Sequence, residues 1–105
     1  DAAITGAFNR HQQGDKGLGP ALGPHAATAA RAAFERQGYR VATAESPWVL
    51  GPDAAALHAD LLEGIATAAG EAEQGTSQGW LAARRATLGE ATARIGHTDL
   101  LALRP

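Results

Sequence analysis

The stretch Gly38–Pro52, GYRVATAESPWVLGP, decides the fold class. Tyr39, Val41 and Thr43 alternate with Arg40, Ala42 and Ala44, which predicts a strand over Tyr39–Glu45 with one richer face. Pro47 has no N–H to give to a ladder and is expected to end that strand. Upstream, Pro24–Gln37 reads as a helix. Proline suits its first position, and Ala26, Ala30, Ala33 and Phe34 form a stripe to bury. Arg31 and Glu35 pair outside, and Gly38 offers a left-handed stop.

Downstream, Asp53 is expected to cap a long helix, Ala54–Glu73. Its inward residues would be Leu57, Leu61, Leu62, Ile65 and Ala69, with His58, Asp60, Glu63 and Glu71 outward and Gly70 and Gly75 fraying its end. Ser77–Leu88 predicts a further helix with Trp80, Leu81, Arg84 and Leu88 on one side. Glu90–Leu103 reads as a final strand, Gly96 marking a bulge or a close backbone approach. At the other end, Asp1–Gln13 reads as a short helix capped by Asp1, with Ile4, Ala7, Phe8 and His11 on one face. Gly14–Gly23 is loop.

Two strands against three or four helices make an α/β chain, and a two-stranded ribbon is marginal by itself. The order helix, glycine stop, strand, helical excursion, strand suits the end of an open sheet whose last two strands are antiparallel. One unit of four parts is expected: 1–23 polar helix and loop, 24–52 helix, strand and turn, 53–89 helical insertion, 90–105 final strand.

Composition narrows the function. The 105 residues contain 5% aromatics and no methionine, so alanine carries much of the apolar 45% and the core is expected to be thin. No cysteine is present, and the histidines at 11, 25, 58 and 97 have no zinc-ligand spacing, so no metal site is expected. A net charge of −2 without a basic stripe argues against nucleic acid. No apolar run approaches a membrane span, and a cytoplasmic location is expected. The chain opens Asp1-Ala2-Ala3 without an initiator methionine, which suggests a fragment or a processed chain.

Chemistry concentrates in Phe8–Pro24, FNRHQQGDKGLGPALGP. Arg10 and Lys16 are candidate anion clamps and His11 a candidate general base, with Asn9 and Asp15 beside them. The competing reading has these groups capping and stitching the loop, Asp15 pairing with Lys16. Neither a phosphate-binding GxxxxGK[ST] loop nor a GxGxxG after a strand is present. Trp48, in the turn SPWVLGP, stands where it would stack on a flat substrate or plug a helix–sheet seam. Trp80 reads as core or interface. His97 and Asp99 share one strand face, a structural histidine rather than a dyad, and His25 and His58 read as solvated helix residues.

Together, FNRHQQGDKGLGPALGP, the alanine-rich helix ending in GYRV, SPWVLGPDAAALHADLLEGIATAA, the WLAARR helix and IGHTDLLALRP resemble the C-terminal portion of bacterial class I S-adenosylmethionine-dependent methyltransferases. The resemblance runs over nearly the whole chain, in order. It implies a Rossmann-like sheet in which Tyr39–Glu45 is the sixth strand and Arg94–Leu103 the antiparallel seventh. Asp53–Leu88 would be an insertion between them. The family's donor site lies in the first half of the fold, in a glycine-rich turn and an acidic strand end that this chain does not supply. The resemblance therefore implies the substrate side, with Asn9, Arg10, His11, Asp15, Lys16 and Trp48 orienting an unknown methyl acceptor, and S-adenosylmethionine bound only by a longer protein. Two rivals are a non-enzymatic helical interaction module, a homo-oligomer among its forms, and a hydrolase- or transferase-like piece using His11 or His97.

Overall fold

Gly38 sits at φ +85° and turns the chain out of a helix into a strand. The Tyr39 N–H donates to the Phe34 carbonyl at 3.1 Å and the Gly38 N–H to the Glu35 carbonyl at 3.0 Å, the paired bonds of a Schellman stop. The rings of Phe34 and Tyr39 meet edge to face at 5.4 Å across that stop, supplying its apolar clasp. The computed structural model describes residues 1–73, 75 and 77–105. Its elements are helix α1 (Ala2–Gln12), α2 (Ala26–Arg36), strands β1 (Arg40–Glu45) and β2 (Trp48–Leu50), α3 (Ala55–Ala72), α4 (Ser77–Arg85), and strands β3 (Ala93–Ile95) and β4 (Thr98–Leu103).

The chain is mixed α/β, with four α-helices and two small antiparallel sheets of two strands each among the described residues. β1 pairs with β4 and β2 with β3. Glu45 faces Thr98 before the break and Trp48 faces Ile95 after it, so two residues intervene on each strand and the register is unchanged. Gly96 is therefore not a bulge, and Pro47 interrupts the ribbon rather than ending it. Pairing fails where Pro47 has no donor and resumes at Trp48. The expected pairing of Tyr39–Glu45 with the final strand is present, the latter beginning at Ala93 and broken at Gly96–His97.

One ribbon face carries Val41, Thr43, Leu100 and Ala102, and α2 packs on the β1–β4 ribbon. Val41, Leu100 and Ala102 are half-buried there. The opposite face, with Ala42, Ala44, Leu101 and Leu103, is exposed. α2 itself buries no residue fully: Ala26, Ala33 and Phe34 of its expected stripe remain exposed, because a two-stranded ribbon is too narrow to cover them.

The core lies among the other helices. Ile4 and Ala7 of α1 pack on Ala69 and Ile65 of α3, and Leu62 and Ala66 pack on Leu81 of α4. Trp80 bridges the two clusters. Among the described residues no side chain larger than alanine is completely enclosed. α4 folds back on α3 where Gly70 leaves room for Ser77, since a Cβ at Gly70 would lie 2.9 Å from the Ser77 hydroxyl. Gly70 is thus a point of close approach within α3, not a frayed end.

The face of α3 is rotated from the expected one. His58, Leu62, Ala66 and Ala69 are buried, while Leu57 is 46% exposed. Asp53 does not cap α3 but lies in a 3-10 turn, Pro52–Ala54, that precedes it. Asp1 makes no cap bond either, because its carboxylate is taken by Trp80 and Arg84. α4 ends at Arg85, ahead of Leu88, which still packs on the Leu62 cluster from the following turn.

Candidate functional site

α1 and α3 run in the same direction. Their first turns share a cleft, and their last turns meet through Arg10–Glu73 and His11–Glu71. Parallel neighbours bring both negative helix ends to one place, and Glu71 and Glu73 add to that field. The basic residues closing α1 offset it. This pairing of an acidic helix end with a basic one builds the site.

His11 Nε2 lies 2.5 Å from Glu71 Oε2, the imidazole mostly sheltered and the carboxylate exposed. With Nε2 donating to Glu71, His11 keeps Nδ1 as an acceptor, a carboxylate-oriented imidazole of the kind that serves as a general base. Nδ1 lies 3.5 Å from Gln12 Nε2, a marginal contact. The His11–Glu71 pair stands between two hollows. One, of about 570 Å³, is lined by Arg10, His11, Asp15, Lys16 and Glu71; the other, of about 440 Å³, by His11, Asp60, Glu63, Thr67 and Glu71.

The loop after α1 holds itself together. Asp15 Oδ1 accepts from the N–H groups of Gly17 at 2.8 Å and Gly19 at 3.0 Å, not from Lys16. Lys16 Nζ donates to the His11 carbonyl at 2.7 Å, which also accepts the Gly14 N–H at 3.1 Å, so the lysine adds a charged bond to the helix end. Arg10 is paired with Glu73. Both cationic candidates thus have partners within the chain, and a ligand would have to compete for them.

Of the residues singled out from sequence, Arg10, His11, Asp15 and Lys16 converge on one hollow. Asn9 is half-buried on α1 and does not line it. Trp48 lies on the ribbon, 47% exposed, its ring centroid 4.7 Å from that of His97. It does not plug the helix–sheet seam; Leu50, 7% exposed, takes the buried position on β2. His97 Nδ1 lies 3.1 Å from the Ile95 carbonyl, a local structural bond. Glu71 and Glu73 were missed, because a carboxylate at the end of a helix reads as solvated until the opposing helix is known. His58, expected to be solvated, is buried.

A nucleoside-type methyl donor needs a strand that turns through glycines into a helix whose first N–H groups face it. The strand-to-helix connection here, Gly51–Ala54, has one glycine, and Pro52 removes a donor. No two strands run parallel among the described residues. These residues do not fit the donor. Among them, too, no group of three potential metal ligands converges, and no helix is long and apolar enough to cross a membrane. Comparison with protein-family models, curated proteins and solved structures finds no match to this chain.

Proposed function

We propose that this chain is the acceptor-side, C-terminal part of a class I S-adenosylmethionine-dependent methyltransferase. The observation that supports it best is the antiparallel pairing of Arg40–Glu45 with Thr98–Leu103 around a helical excursion. A strand order of this kind closes an open sheet, and the uncovered ribbon face and free ribbon edges are what an inner strand would present. The hollow at the end of α1 would then be the acceptor's side of the cleft, with the donor held by polypeptide outside these residues. The part played by the chain is positional: the helix end and loop orient the acceptor, and His11, held by Glu71, takes a proton from it.

Calorimetric titration of S-adenosylmethionine into residues 1–105 and into the product of the complete reading frame tests this. Binding by the longer protein and not by the 105-residue chain is expected. Absence of binding by both would remove the assignment.

The second reading is a non-enzymatic interaction module, favoured by Leu101 and Leu103 on the uncovered face of the β1–β4 ribbon. It predicts no donor binding at any chain length and a stable complex through the ribbon face.

A further inference from the structure

Away from the α1 loop, a cleft of about 270 Å³ opens where α1, α3 and α4 meet the segment entering β3. Leu62, Ile65 and Trp80 supply apolar wall, and Arg84 and Arg94 line it with Asp1 beside them. His58 lines it too. It is 6% exposed, and its Nδ1 is buried without a hydrogen-bond partner among the described residues. Buried polar atoms nearly always have a partner, and leaving one unmet is costly. The other buried positions on α3 are leucine or alanine, and leucine at 58 would avoid that cost. A histidine there calls for something to bond.

The charges are unevenly committed. Arg84 Nε donates to Asp1 Oδ1 at 3.1 Å, and its Nη2 pairs with Oδ2. The same Oδ1 accepts the Trp80 indole N–H at 2.7 Å, which holds the indole in place as a wall. Arg94 meets Glu45 at 3.9 Å, both side chains well exposed, an arrangement that contributes little in water. The side chains of Asp1, Arg84 and Arg94 sum to one positive charge. The volume falls below the roughly 300–1,000 Å³ of pockets for drug-sized ligands, which limits an occupant to about one ring.

We propose that this cleft binds a small hydroxyaryl carboxylate. Its carboxylate meets Arg94, its ring lies against Trp80 and the aliphatic wall, and its hydroxyl bonds His58 Nδ1, which a turn of the imidazole ring brings out of burial into the cleft. The site lies wholly within residues 1–105 and needs no methyl donor, so it stands or falls apart from the transferase reading.

The test is an NMR titration of the 105-residue chain with 4-hydroxybenzoate. It follows the indole N–H signal of Trp80, identified as the one retained in Trp48→Phe. A saturable shift is expected. 4-Hydroxybenzamide, which lacks the charge, and benzoate, which lacks the hydroxyl, should each bind roughly tenfold more weakly or worse. Arg94→Ala, at an exposed position, should lower affinity for 4-hydroxybenzoate by a similar factor. His58→Leu should bind benzoate and 4-hydroxybenzoate alike while melting no lower than the parent. If that variant does not fold, the comparison of the two acids on the unsubstituted chain decides. A Trp80 signal that does not move, equal binding of the two acids by the unsubstituted chain, or unchanged affinity in Arg94→Ala would each overturn the proposal, leaving a cleft that holds water.

Discussion

Gly38 and His11 show how differently single residues matter here. At φ +85°, any side chain at 38 is strained, although a Cβ there would meet nothing within 4 Å. The cost of Gly38→Ala is therefore backbone conformation alone, about 1–2 kcal/mol, read as a lower urea midpoint with an unchanged slope. His11 is the opposite case. Its bond to Glu71 is at the surface, where an ion pair is worth about 1 kcal/mol or less. If the proposed transferase reading holds and His11 serves as the base, His11→Ala in the complete protein lowers turnover by about a hundredfold or more, with a melting temperature close to the parent's. Arg10→Ala should follow the same pattern more weakly. Equal loss of rate and stability in both would assign them to the fold. Asp15 needs no functional reading, since its carboxylate already serves two backbone donors of its own loop.

At the scale of elements, the helices interlock through small residues. Ala69 is fully buried against Ile4 and Ala7, which brings α1 and α3 close along their length. Ala69→Leu adds three carbons to a seam with no room and should cost about 1–3 kcal/mol. Ala72→Leu, on the exposed end of the same helix, should stay within about 0.5 kcal/mol. Urea denaturation of the two variants checks this; similar losses would mean that α1 does not dock on Ala69. The ribbon follows another logic. Pro47 and Gly96 sit in its break, and the register is the same on either side of it. On one side of the break α2 covers the ribbon, and on the other β2 reaches the helices through Leu50.

At the scale of the molecule, the surface is too large for the mass. The chain exposes 7139 Å², against about 5,500 Å² expected for a folded monomer of 10.7 kDa. Its radius of gyration is 16.6 Å against about 13 Å for a compact domain of this length. Large apolar side chains are among those left exposed: Leu101 is 57% exposed, Val49 65% and Trp48 47%, all on the ribbon. Uncovered strands with free edges pair with what is available. Sedimentation velocity should show the 105-residue chain associating as its concentration rises, and Leu101→Lys with Leu103→Lys should shift it toward monomer. A concentration-independent monomer would mean that the face is tolerated in water.

Much of the local architecture was legible in the residues because it rests on local rules. The helix ending at Gly38, the alternation that makes Tyr39–Glu45 a strand, and the glycine-rich loop after α1 depend on neighbours a few positions apart. The gathering of Arg10, His11, Asp15 and Lys16 was legible for the same reason, since one helix turn and one short loop hold them all. Tertiary structure alone decided which face of α3 goes inward. Alanine is small enough to lie on either side of a helix, so periodicity did not distinguish His58 from Leu57. It also decided that Asp1 would hold Trp80 and Arg84 rather than cap α1, and that Glu71 would reach His11 from 60 residues away. Such bonds form only when distant helix ends are brought together by burial of Ile4, Ala7 and Ala69, and no spacing along the chain encodes that meeting.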